Sequence, residues 1–144
     1  MADRTARVTW SGSLLEGSGV IESTGSGAIG GLEVTWASRS EPEQSERTSP
    51  EELIAAAHAA CFCMALSHGL AQAGTPPESL DVTATATFVP GTGITQMKLD
   101  LTGIVPGIDE AAFLEAAEGA RENCPVSSAL KGNVEILLDA RLAS

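Results

Sequence analysis

From Leu53 to Ala73 the chain is an unbroken run of helix formers and small residues with no polar stripe, and this run limits the fold more than any other feature. It opens on Ser49-Pro50-Glu51-Glu52, with a hydroxyl at the N-cap, Pro at the first helical position and Glu at the third, residues that suit the free amides of a helix start. Gly74 and Pro76-Pro77 provide the stop. A helix apolar on every side is buried in protein or in lipid, and this one is long enough for either. His58 and His68 within the run, and the lack of basic flanks, count against a bilayer. The expectation is a central helix packed all round, with Ala55, Ala56, Ala57, Ala59 and Ala60 letting other backbone approach closely. The sheet of one short chain cannot cover such a helix, so a second copy of the chain is implied.

The flanking segments read as sheet. Arg7-Val-Thr-Trp10, Gly19-Val-Ile-Glu22 and Leu32-Glu-Val-Thr-Trp36 alternate between Gly- and Ser-rich breaks, the pattern of a three-stranded antiparallel meander. Arg39 to Thr48 is polar and acidic, contains Pro42, and reads as a loop ending beside a helix start, a place suited to a working residue. Leu80 to Val89 and Thr95 to Thr102 alternate cleanly, and Pro90-Gly-Thr-Gly93 joins them as a hairpin. A second helix, from about Asp109 to Asn123, sets Phe113, Ala116, Ala117, Ala120 and Cys124 on one stripe until Pro125 interrupts it. Val126 to Lys131 adds a short helical turn, and Val134 to Leu142 a final strand. The order is βββ-α-ββ-α-β, an α+β fold. A length of 144 residues with 43% hydrophobic side chains suits one core, hence a single domain spanning 1–144.

A formal net charge of −11, from 19 acidic residues against 8 Lys and Arg, has the wrong sign for a nucleic-acid groove. The polar opening Met1-Ala-Asp-Arg-Thr-Ala-Arg7 lacks the apolar run of about 7 to 15 residues that marks a secretory signal, so a cytoplasmic location is expected. Three cysteines, an odd number, then argue against a disulfide scaffold and for transient, chemical disulfides. Cys61 and Cys63 point about 200° apart on the helix, which keeps them from pairing or chelating together. With His58 and His68 they match no zinc spacing, and no metal or other cofactor is expected. His58 lies one turn before Cys61, the spacing of a Cys–His nucleophile pair, although a histidine so placed is more often a packed, hydrogen-bonded core residue. Cys124, at a helix end before Pro125, has the access and mobility of a working thiol. Either Cys61 or Cys63 can meet it, and helix geometry does not choose between them.

The segments Ser49-Pro-Glu-Glu-Leu-Ile-Ala-Ala-Ala-His-Ala-Ala-Cys-Phe62, Val105-Pro-Gly-Ile-Asp109 and Asn123-Cys-Pro-Val-Ser127 resemble the OsmC and organic-hydroperoxide-resistance superfamily. The likeness covers nearly the whole chain, and the Ala-His-Ala-Ala-Cys-Phe wording is nearer the OsmC branch. This resemblance implies two intertwined subunits, a homodimer whose antiparallel sheets wrap central cysteine-bearing helices. It implies Cys61 as the peroxidatic cysteine and Cys124 as the resolving one. Arg39 corresponds to the arginine that activates the thiol, with Arg47 as its rival, and Glu51 to the acid that holds that arginine. Cys63 stands where many relatives have Ser and is given no role.

The implied activity is reduction of organic hydroperoxides, and more weakly of hydrogen peroxide, in oxidative or osmotic stress defence. It runs through a Cys61 sulfenic acid and a Cys61–Cys124 disulfide, with a small dithiol of the lipoyl type as reductant. An arginine is sufficient for the activation. Lowering a thiol pKa by roughly two and a half units takes about 3.4 kcal/mol, and one cation at about 4 Å offers on the order of 4 kcal/mol at intermediate dielectric. Glu51 and Cys61 lie about 15 Å apart along one helix, too far for one arginine to serve both easily, so the site is expected to be completed across the dimer. Two other readings use the same residues: a non-catalytic thiol redox sensor or binder of small apolar ligands, and a Cys61–His58 hydrolase.

Overall fold

The computed structural model describes residues 1–43 and 46–143, in two compact units, Met1–Leu53 and Ile54–Ser144. In the first unit β1 (Ala6–Ser11), β2 (Ser18–Thr24) and β3 (Leu32–Val34) form an antiparallel sheet in the order β1-β2-β3, the expected meander. The third strand stops short of Trp36, however, and the segment read as a loop begins with a one-turn helix, α1 (Trp36–Ser40), which carries Arg39. The cause is a capping box. Thr35 Oγ1 accepts the Ser38 amide at 3.1 Å and Ser38 Oγ accepts the Thr35 amide at 3.0 Å, which satisfies two amides that β pairing would otherwise have to serve. The Ser38 hydroxyl also donates to the Thr48 carbonyl at 3.0 Å, and Val34 bridges Thr48 in parallel, so the returning chain is stitched to the end of β3. Gln44 and Ser45 of the expected loop lie outside the described residues.

The long helix, α2 (Pro50–Gln72), starts and stops where its punctuation predicts, and Ser49 Oγ accepts the Glu52 amide at 3.1 Å. Its first turn belongs to the first unit and the remainder to the second. The second unit adds β4 (Ser79–Val89), β5 (Gly93–Ile104), α3 (Glu110–Asn123), α4 (Pro125–Leu130) and β6 (Glu135–Leu142). Strands β4 and β5 form an antiparallel hairpin, and β6 pairs parallel to β5, a connection that needs the helical crossover α3 and α4 provide.

The pleat sets Met97, Leu99 and Leu101 of β5 on one face beside Val82 and Ala84 of β4 and Ile136, Leu138 and Ala140 of β6. Against that face pack Phe62, Leu66 and Leu70 of α2 and Phe113, Ala117 and Ala120 of α3, all buried. Each large side chain contributes about 1.5 to 3 kcal/mol by its burial.

Within this chain α2 is not packed all round. Among the described residues His58, Phe62, Leu66 and Leu70 form its buried stripe, while Ala56, Ala60 and Met64 stay exposed, Met64 at 72%. By length and composition alone α2 is also the helix among the described residues that suffices to cross a membrane.

Gly103 of β5 is the tightest point where α3 meets the sheet: a Cβ there would lie 2.6 Å from Phe113 Cζ. Phe113 has no exposure and cannot swing aside. Gly103→Ala is expected to cost about 1 to 3 kcal/mol of stability, read as a lower urea midpoint at unchanged slope.

Candidate active site

Proline 125 builds one side of the site. A residue preceding Pro is pushed out of the helical region, so α3 ends at Asn123 and Cys124 takes an extended conformation, φ −63° and ψ 141°. Cys124 then caps two helices. Its amide donates to the Ala120 carbonyl at 2.9 Å, closing α3, and its sulfur accepts the Ser127 amide at 3.3 Å, opening α4. The expected mobility of this thiol is not what the structure has: Cys124 is fully buried and tied on both sides.

The other side comes from α2. Cys61 is partly buried, accepts the Val126 amide at 3.5 Å and lies beside Cys124, close enough for each thiol to feel the other. The question left open by helix geometry is thereby answered, since Cys61 meets Cys124. Cys63 instead lines a groove with Met64, Ser67, His68, Glu78 and Leu80. All three thiols are free.

Burial pushes the Cys61 thiol up; the Val126 amide works against this and the Cys124 thiol adds to it. Burial also pushes Cys63 up, helped by the Asp81 carboxylate. Among the described residues of this unit no Lys or Arg hydrogen-bonds either sulfur of the pair: Arg121 is held by Glu118, Glu122 and the Ile136 carbonyl, Lys98 by Asp100, and Lys131 by Glu122, while Arg141 lines a groove with Asp81, Asp100 and Asp139.

His58 has no exposure, and its Nε2 lies 2.8 Å from Ser127 Oγ. Its Nδ1 is buried without a partner, so neither ring nitrogen bonds Cys61, and a Cys61–His58 nucleophile pair is absent. Ser127 is the residue that sequence reasoning missed. Its signal was present in Cys124-Pro-Val-Ser127, where a capping group, Pro at the first helical position and a hydroxyl at the third repeat the logic of a helix start.

In the first unit Arg39 Nε donates to Glu51 Oε1 at 2.9 Å, and the carboxylate is nearly buried with Oε2 lacking a hydrogen-bond partner. Arg47 pairs with Glu33 at 3.4 Å on the surface. Among the described residues no group of three or more His, Cys, Asp or Glu is placed to hold a metal ion.

The fold and the paired thiols define a two-cysteine α+β protein. The chain belongs to the OsmC-like protein family, which residues 43–139 match. It is 43% identical over 138 residues to the peroxiredoxin OsmC of Escherichia coli (strain K12), covering 94% of this chain and 93% of that protein. It is 37% identical over 97 residues to the organic hydroperoxide resistance protein of Xanthomonas axonopodis pv. citri (strain 306), covering 63% of this chain and 65% of that one. The crystal structure of an organic hydroperoxide resistance protein from Elizabethkingia anophelis superposes with a TM-score of 0.69 at 25% identity, covering 96% of each chain.

Burial holds the His58 imidazole below its ordinary range. A depressed pKa means that the unfolded chain takes up this proton first, so the stability from a neutral His58 is complete above about pH 6.5 and lost as pH falls through the folded value. In urea unfolding, the stability gap between the wild type and His58→Gln is expected to narrow below about pH 6.5. A gap independent of pH would mean that His58 does not change charge on unfolding.

Proposed function

We propose that this chain is a cysteine-based peroxidase that reduces organic hydroperoxides, a cytoplasmic protein of oxidative or osmotic stress defence acting as one OsmC-like domain in an intertwined homodimer. The observation that carries this reading is the contact of the Cys61 and Cys124 thiols beside the Val126 amide. The names of the Escherichia coli and Xanthomonas relatives support it.

The Cys61 thiolate attacks the terminal oxygen of the hydroperoxide. An S–O bond forms, the O–O bond breaks, and the alkoxide leaves as alcohol once protonated. Cys124 then displaces water from the Cys61 sulfenic acid to give the disulfide, and a small dithiol, of the lipoyl type in our reading, returns two electrons by exchange. The apolar surroundings of Cys61 favour an alkyl substituent, which gains by burial.

The raised Cys61 thiol needs a cation from outside its own unit. We assign this role to Arg39, whose nearly buried partner Glu51 fixes the guanidinium, rather than to Arg47 on the surface. The helix spacing of Glu51 and Cys61 favours a site completed across the dimer, the Arg39–Glu51 pair of one subunit serving the other's Cys61. The full burial of Cys124, which an external reductant would have to reach, favours a second reading, a redox sensor oxidised without turnover.

Turnover of cumene hydroperoxide with a dithiol reductant separates the two. Cys61→Ser is expected to abolish consumption and Cys63→Ser to retain most of it, while peptide mapping of the oxidised wild type shows a Cys61–Cys124 link with Cys63 free. Oxidation without turnover supports the sensor, and turnover by Cys61→Ser sinks the assignment. For the arginine, the pH profile of Cys61 alkylation is expected to move to higher pH in Arg39→Ala and to stay in place in Arg47→Ala. An unmoved profile in Arg39→Ala removes Arg39 from the mechanism.

A further inference from the structure

The peroxidase reading uses the two sulfurs and leaves a second buried polar group without a task. The Cys124 thiol donates to Ser127 Oγ at 3.0 Å, and Ser127 Oγ lies 2.8 Å from His58 Nε2. All three side chains are buried, with 1% exposure or less. His58 comes from α2, 69 residues before Ser127, so the contact is not a by-product of local helix geometry. A core position on α2 that an aliphatic side chain would fill instead holds an imidazole with Nδ1 unpartnered, a desolvation cost that one hydrogen bond offsets only in part.

We propose that Ser127 and His58 accept the Cys124 proton during disulfide formation, Ser127 as a catalytic residue touching the reacting thiol and His58 as a positioning residue acting through it. The proposal rests on the peroxidase reading and concerns its second step. As Cys124 Sγ attacks Cys61 Sγ, the S–S bond forms and the S–O bond of the sulfenic acid breaks. The thiol proton passes to Ser127 Oγ, and the Ser127 hydroxyl proton passes to His58 Nε2. The imidazolium then releases that proton and the departing hydroxide takes one up, so water leaves and His58 ends neutral. One sulfur gains the electron equivalent that the other loses, and no outside oxidant enters.

The surroundings fit this path. A fully buried thiol has no direct exchange with bulk water, and the hydroxyl is the side-chain acceptor in contact with it. Burial keeps the imidazole neutral, which leaves Nε2 as an acceptor when the ring proton sits on Nδ1. The thiolate, once formed, is met at 3.3 Å by the Ser127 amide.

The test is a rapid-quench single turnover of the reduced protein with cumene hydroperoxide, trapping Cys61 sulfenic acid with dimedone and counting the Cys61–Cys124 disulfide by mass spectrometry. Relative to sulfenic acid formation, its conversion to disulfide is expected to slow at least about tenfold in Ser127→Ala and in His58→Gln, which keeps a hydrogen-bonding group but not a base. Ser127→Thr, which keeps the hydroxyl, is expected to restore the rate. Conversion at the wild-type ratio in Ser127→Ala overturns the proposal, whatever the folding of the His58 variant. A wild-type ratio in folded His58→Gln overturns the part given to His58, and slowing that Ser127→Thr does not relieve reduces Ser127 to a packing role. If the wild type forms neither sulfenic acid nor disulfide, the peroxidase reading itself has failed, a result distinct from all of these.

Discussion

The burial of one stripe of α2 and one stripe of α3 against the inner face of β5 is the interaction on which the second unit rests. Phe62, Leu66 and Leu70 from one helix and Phe113 and Ala117 from the other meet Leu99 and Leu101 with almost no exposure. Small residues make this close approach possible. Gly103 lets the Phe113 ring lie on the strand, and the alanines of α3 keep its backbone near the sheet. Because Cys61 adjoins Phe62 and Cys124 follows Ala120 on the α3 stripe, the same packing that closes the core brings the two sulfurs together.

That closeness has an electrostatic cost. A thiol withdrawn from water resists ionisation, and the Val126 amide recovers only part of the loss for Cys61. Cys124 has a different environment, with an amide and a hydroxyl both turned toward it and a neutral imidazole behind the hydroxyl. Two identical groups in contact are thus made unlike by what lies on their far sides. This asymmetry is what a pair needs if one member is to meet substrate and the other only its neighbour.

Much of this arrangement was legible in the residue order, because it depends on local rules. Ser49, Pro50 and Gly74 mark the ends of α2, Pro125 marks the break after Cys124, and period-two alternation marks β4 and β5. The failures have physical causes as well. Trp36 continues the alternation of β3, but the reciprocal Thr35 and Ser38 bonds outweigh one more strand residue. The parallel pairing of β6 and the meeting of His58 with Ser127 join segments far apart in the chain, and no periodicity encodes them.

The parallel pairing of β6 also bears on how the molecule is made. Ribosomal synthesis delivers Cys61 first, then β4 and β5, then Cys124, and only afterwards the strand that completes the sheet. Until Glu135–Leu142 emerges, one edge of β5 lacks its ladder and Arg121 lacks the Ile136 carbonyl that ties α3 to the sheet. The nascent chain therefore carries both thiols through a stage in which their final shelter is incomplete.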